Sequence, residues 1–154
     1  MPIQPRTTLH INAPPEIVWQ VLSDFEAYAR WTEQLHFQGS PGQGDRLKIT
    51  VKLFRWKVSV PVQVETLAPL KELRWRGGPR LIMSGSHFFQ LRSAGPGQTE
   101  VIHGEDFTGL LLPVLWFFLS REVLAFYDRI NADLKKHAET LAQSEAEAQA
   151  HIQA

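Results

Sequence analysis

The sequence has no cysteine, which excludes disulfides, thiolate zinc sites and a cysteine nucleophile together. It also has no net charge, since 16 basic side chains balance 16 acidic ones. With a pI of about 7.0, the chain lacks the basic excess that general nucleic-acid binding requires. No apolar run is long enough to span a bilayer. The longest, Leu110 to Leu119, has ten residues and contains Pro113, against the roughly 17 to 25 that a spanning helix needs. The opening stretch, MPIQPRTTLHINAPP, holds no apolar segment of the secretory kind, so a cytoplasmic protein is expected.

The familiar catalytic and cofactor motifs are missing as well. The six histidines show no HxxxH spacing, so a helical metal motif is absent. His103-Gly-Glu105 has the HxE of zinc deaminases but not the cysteine ligands that go with it. Gly42-Gln-Gly44 lacks the third glycine of a dinucleotide loop. No GxSxG occurs, and Ser84-Gly-Ser86 falls in a strand pattern instead of a nucleophile elbow. Neither a cofactor nor a metal is implied.

What the chain does have is one long helical pattern, Gly109 to Leu141. Leu112, Leu115, Trp116, Leu119, Val123, Phe126, Ile130, Leu134 and Leu141 recur at steps of three, four and seven, the spacing of one helix face. Arg121, Asp128, Arg129, Asp133, Lys135, Lys136 and Glu139 take the other. So long an apolar stripe needs a broad partner, and the preceding residues supply it as strands. Leu47, Ile49, Val51 and Leu53 alternate with Lys48, Thr50 and Lys52, and Val58, Val60, Val62 and Val64 alternate with polar residues in turn. Pro61 points away from that apolar set and suggests an edge or a bulge. Further strands are expected at Thr7 to Asn12, Leu35 to Gln38, Leu73 to Arg76, Leu81 to Arg92 and Thr99 to Phe107.

Pro14-Pro15 opens a short helix over Glu16 to Leu22, and Ser23-Asp24 reads as the cap of a second, Phe25 to Arg30. Short connections make the sheet antiparallel. The expectation is an α+β domain over 1–141, a seven-stranded curved sheet with two short helices after strand 1 and one long C-terminal helix. A polar, Ala-rich tail over 142–154 follows, as a frayed helical extension or disordered.

This order of elements, with Asn12-Ala-Pro-Pro-Glu-Ile-Val-Trp19, Ser23-Asp24-Phe25 and Tyr28-Ala-Arg-Trp31, resembles the polyketide cyclase/dehydrase branch of the START and Bet v 1-like (SRPBCC) superfamily. His87-x-Phe89-x-Leu91 and the alternating stretch from Thr99 to Gly109 look like that family's last hairpin. The resemblance covers about residues 5–141 and implies the helix-grip fold. It also implies a cavity between sheet and long helix for a hydrophobic small molecule, in a carrier, a sensor or an enzyme.

The last hairpin carries the candidate chemistry. With odd-numbered residues inward, His87, Phe89, Leu91, Val101, His103, Glu105 and Phe107 share one surface. Setting Arg92 opposite Glu100 gives a cross-strand charge pair, and that register places Phe89 opposite His103 and His87 opposite Glu105. A His–carboxylate pair in an apolar cavity is a candidate for acid–base work. It is equally the kind of pair that satisfies itself and fixes the register, or that orients a ligand. A register with His87 opposite His103 would break it. Trp31, Trp56, Trp75, Trp116, Phe54, Phe89, Phe107, Phe117 and Phe126 read mostly as core, with Trp75, Phe89, Phe107, Leu112 and Trp116 as cavity lining.

Two surface features remain. Residues 46 to 80 carry nine basic side chains against Glu65 and Glu72, with Lys48, Lys52, Arg74 and Arg76 expected on the outer sheet face. This face is either a solvated, aggregation-resistant surface or a dock for anionic headgroups or an acidic partner. The Leu110 to Leu119 segment, apolar all round, is either covered within the monomer or placed at the cavity mouth against membrane, partner or second subunit.

The function expected is binding of a lipid, quinone or polyketide-like compound as carrier or sensor, with Trp75, His87, Phe89, His103, Glu105, Phe107, Leu112 and Trp116 around the ligand. The alternatives are a cyclase or dehydratase-type enzyme using His87, His103 and Glu105, and an interaction module with a filled groove that acts through its basic face. No oligomeric state is implied.

Overall fold

Alternating side chains with short turns between them leave the strands one way to bury their apolar faces, by pairing with their sequence neighbours. The computed structural model describes residues 1–154. Its strands are β1 (Arg6–Ile11), β2 (Leu35–Phe37), β3 (Arg46–Leu53), β4 (Trp56–Ala68), β5 (Glu72–Gly77), β6 (Ser84–Gly95) and β7 (Gln98–Thr108). They form one antiparallel sheet in the order β1-β7-β6-β5-β4-β3-β2. Helix α1 (Pro15–Ser23) and a 3-10 helix (Phe25–Arg30) follow β1, and α2 (Leu112–Gln153) closes the chain. This is the α+β helix-grip arrangement.

Register shifts between Val64 and Thr66 of β4 and between Ser93 and Gly95 of β6 interrupt the ladders, and such bulges sharpen the twist that curls a sheet. α2 lies in the resulting concavity. Its buried residues, Val123, Phe126, Tyr127, Ile130, Leu134 and Ala138, join α1 and the inner sheet positions in one core. Ile130 and Leu134 are fully buried, each contributing roughly 1.5–3 kcal/mol from apolar burial.

The structure departs from expectation at several elements. The second short segment is a 3-10 helix, and the Asp24 side chain makes no capping bond. β6 begins only at Ser84, because Ile82 and Met83 both donate their N–H to the Pro79 carbonyl (3.0 Å each) and close a turn. Pro61 belongs to an interior strand; β5 ends opposite Val62, so Pro61 sits where β4 outruns its neighbour, and the bulge falls further on. α2 continues through Gln153, and the tail after Ala142 is exposed helix.

On the outer sheet face Arg6, Arg74 and Arg76 are paired, while Lys48 and Lys57 stay exposed without an acidic partner. Arg74 bonds Glu72 and Asp106, Arg6 also bonds Asp106, and Arg76 bonds Glu65 at 2.6 Å. Arg6 and Arg74 stack over Phe88, their guanidinium carbons 4.6 and 4.3 Å from its ring centre, so Phe88 is buried on this side too. Partial burial pushes the Asp106 and Glu65 carboxyls up, but hydrogen bonds and arginine charges outweigh it and hold both below the usual range. Lys52 pairs with Glu33 at 3.2 Å.

Candidate functional site

A cavity of about 310 Å³ lies between the inner sheet face and the first half of α2, from Leu119 to Tyr127. β3 and β4 wall it with Ile49, Val51, Leu53, Val60 and Val62, and α2 closes it with Leu119, Val123 and Phe126. These sheet residues line one wall because strand side chains alternate with period two, and the helix residues because steps of three and four share a face. Trp75 and Phe107 complete the apolar lining. Against it stand three polar side chains, His87, Glu105 and Tyr127.

The last hairpin positions two of the three. His87 lies opposite Glu105, Phe89 opposite His103 and Arg92 opposite Glu100, the register that the charge pair implies. His87 stacks on Trp75 with ring centres 4.5 Å apart, and His103 stacks on Phe89 at 4.2 Å. Both imidazoles are buried. The twist of the sheet also brings them together diagonally, Nε2 to Nε2 at 2.8 Å.

Hydrogen bonds run from this pair in both directions and assign its protons. The Thr7 hydroxyl donates to the His103 carbonyl (3.1 Å) and accepts from Asn131 Nδ2 (2.8 Å). Asn131 Oδ1 therefore faces His103 Nδ1, at 2.7 Å, and Nδ1 must carry a hydrogen to donate to it. Burial, and secondarily the charge of His87, hold the His103 pKa well below the usual imidazole value despite the bond to Asn131. His103 is thus neutral with a bare Nε2, so His87 Nε2 is the donor between the two rings. His87 Nδ1 lies 3.2 Å from Glu105 Oε2, which also accepts the Tyr127 hydroxyl at 2.8 Å. Burial first, then the Glu105 charge and hydrogen bond, push the Tyr127 phenol far up, so it stays protonated and donates to Glu105.

Glu105 Oε1 has no hydrogen-bond partner in the protein. It occupies the space over Gly85, where a Cβ would collide with it. A glycine at this strand position therefore leaves room for the carboxylate to stand between the chain of hydrogen bonds and the cavity. The arrangement can accept a hydrogen bond from a ligand at Oε1 and can take up or return a proton through Oε2 and His87. It does not suit a metal: two nitrogen ligands on one tetrahedral zinc lie about 3.3 Å apart, wider than the direct 2.8 Å contact of the two histidines. No cluster of three or more His, Asp or Glu side chains is placed to hold an ion.

The family described as "Polyketide cyclase / dehydrase and lipid transport" matches residues 3–139. The chain belongs to this family. Among curated proteins nothing matches. Solved structures with the same fold include the Zhui aromatase/cyclase from a Streptomyces species, with a TM-score of 0.74 and 18% identity over 90% of this chain and 94% of that one. A START superfamily protein from Mycobacterium smegmatis has a TM-score of 0.70 and 19% identity, covering 90% of this chain and 98% of its own. Norcoclaurine synthase from Thalictrum flavum, solved with a transition-state analogue, gives 0.67 and 12% over 89% and 96%. At these identities the likeness is one of fold.

Within the family fold, four of the eight residues expected around a ligand border the cavity: Trp75, His87, Glu105 and Phe107. Phe89 and His103 stand behind the wall, fully buried. Leu112 is buried in the core, and Trp116 packs on Phe107 with ring centres 5.5 Å apart, neither bordering the cavity, whose α2 lining begins one turn later at Leu119. Tyr127, Asn131 and Thr7 were not expected at the site. The signal for the first two is their spacing of four, which places both on the apolar face marked by Val123, Ile130 and Leu134.

Proposed function

We propose that this protein binds a hydrophobic small molecule, a lipid-, quinone- or polyketide-like compound, as a carrier or sensor, with a polar group of the ligand donating to Glu105 Oε1. The observation that carries this reading is an apolar cavity bordered by a carboxylate oxygen, Glu105 Oε1, that lacks a protein partner. Its volume, about 310 Å³, lies at the low end of the roughly 300–1,000 Å³ of ligand pockets. A compact ring system or one short chain suits it better than a whole diacyl lipid. Affinity would come chiefly from apolar burial at roughly 25 cal/mol per Å², with Glu105, Tyr127 and His87 setting orientation. An open cavity weighs against a groove filled by the protein's own side chains, and the paired arginines of the outer sheet weigh against a free basic face.

One observation favours a second reading, an enzyme of cyclase or dehydratase type. The hydrogen-bonded chain from Asn131 through His103 and His87 to Glu105 ends at the cavity, within reach of a ligand as a general base must be. A thermal-shift screen of lipids, quinones and aromatic polyketides on the native protein and on Glu105→Gln separates these readings. A binder stabilised by a compound should keep stabilisation within about tenfold when a single neutral acceptor replaces the carboxylate. An enzyme should convert that compound and lose at least a hundredfold in turnover in the variant. No stabilisation by any of the three classes would remove both.

A further inference from the structure

Three segments that border the cavity also carry large apolar side chains into solvent. The β3–β4 turn exposes Phe54 and Trp56, the loop before β6 exposes Leu81 and Ile82, and the start of α2 exposes Leu110, Leu111, Val114, Phe117 and Phe118. Phe117 and Leu110 are each 80% exposed. They form one surface: Leu110 and Leu111 donate their N–H groups to the carbonyls of Leu81 and Ile82, at 3.0 and 3.2 Å. Phe54 donates its N–H to Glu122 Oε1 on α2 at 2.8 Å. Leu53, Pro79, Met83 and Leu119, from the same segments, line the cavity. Scattered apolar residues are ordinary on a protein surface, but a contiguous patch of this size marks an interaction site.

The unpaired charges on these segments are all cations, and Glu122, which follows Arg121, is taken up by Arg129 at 2.6 Å and by the Phe54 N–H. Arg55, Lys57, Arg80 and Arg121 are exposed and have no acidic partner, and residues 53–58, 78–83 and 109–121 contain no Asp or Glu. Arg55 stacks on Trp56 with its guanidinium carbon 5.7 Å from the ring centre, a cation held beside an amphipathic ring. Apolar side chains fringed by cations, with a tryptophan among them, complement the acyl–headgroup boundary of an anionic bilayer. A symmetric pairing of two copies through this patch would bring like cations together. No helix is long and apolar enough to cross a membrane, so the contact is peripheral.

We infer that this surface docks on anionic lipid membranes and sets the cavity against the bilayer. The inference rests on the patch and its charges and does not depend on what fills the cavity. It is tested by cosedimentation of the full chain with vesicles of phosphatidylcholine alone and of phosphatidylcholine with phosphatidylglycerol, in low and high salt. The protein should sediment with the anionic vesicles, and the double variant Arg55→Ser/Arg80→Ser should bind them at least tenfold more weakly, since each charge near the surface is worth about a fivefold factor. Phe117→Ser/Phe118→Ser, two exposed positions whose replacement leaves the core intact, should bind more weakly at either salt concentration. Equal sedimentation with neutral and anionic vesicles, binding unaffected by both double variants, or no vesicle binding would overturn the inference. So would a stable dimer by light scattering that Phe117→Ser/Phe118→Ser dissolves while vesicle binding is absent. The thermal-shift screen of soluble compounds reports on the cavity separately.

Discussion

His103 couples the stability of this fold to pH in a way that can be worked out in advance. Its ring is fully buried, donates to Asn131 and accepts from His87, and its pKa in the folded state lies well below the usual imidazole value. In the unfolded chain it titrates near the reference value of about 6.5. Between the depressed folded value and about 6.5 the unfolded state therefore binds the extra proton, and stability rises with pH across that window. The contribution is fully present above about pH 6.5 and is lost as pH falls, at a limiting slope of about 1.4 kcal/mol per pH unit. From pH 7.5 to pH 5.0 the loss is at most about 2 kcal/mol, the limit for a ring that stays neutral in the folded state throughout.

The assay is urea unfolding of the native protein and of His103→Phe at half-unit steps across that range. Phenylalanine keeps the stack on Phe89 but removes the titrating group, so the variant is less stable at pH 7.5 yet loses less on going to pH 5.0, by up to about 2 kcal/mol. Parallel curves for the two proteins would refute the assignment of a neutral, non-titrating His103. The carboxylates held low by arginine or lysine, Glu65, Asp106, Glu122 and Glu139, do not confuse the result. Their contribution is present above the unfolded carboxylate range and is lost below about pH 4.5.

Other consequences are simpler to check. Leu134→Ala should cost about 2–5 kcal/mol in chemical denaturation, because the side chain is fully buried between α2 and the sheet and its removal leaves a cavity. Removing residues 143–154, which are exposed throughout, should change stability by no more than about 0.5 kcal/mol in the same measurement. Gly85→Ala should displace the Glu105 carboxyl from its place over the strand. A crystal structure or side-chain carboxyl NMR shift of that variant would then show the Glu105–Tyr127 bond broken.

The sheet and the site were not equally legible in the sequence. Period-two alternation identified β3 and β4, and one charge pair, Arg92 with Glu100, was enough to register β6 against β7, because a slip by one residue would turn every apolar side chain outward. That register brought His87 and Glu105 together. It did not reveal the His87–His103 contact, which is a diagonal one and depends on how strongly the sheet twists. Tyr127 and Asn131 escaped notice because a polar group on an apolar helix face reads as a break in the stripe until its partners are known, and those partners, Glu105, His103 and Thr7, lie about twenty or more residues away.

Aromatic residues misled in the other direction. Phe54, Trp56 and Phe117 look like core by type, and only the position of the β3–β4 turn and of the first turns of α2, beyond the sheet that would cover them, leaves them in solvent. Leu112 and Trp116 were expected at the cavity on the same reasoning, but the helix lines it only from Leu119 to Tyr127, beyond its first turns. The basic excess of residues 46 to 80 was real, yet Asp106 comes from β7 and neutralises part of it across the sheet.

The central claim is that a hydrophobic molecule occupies the space between the sheet and α2. Native mass spectrometry of the purified protein, with denaturing analysis of its organic extract, tests it most directly. The account predicts a stoichiometric adduct of one apolar compound, or, after delipidation, uptake of one equivalent of a lipid, quinone or polyketide. A protein that carries no adduct and takes up none of these would contradict it.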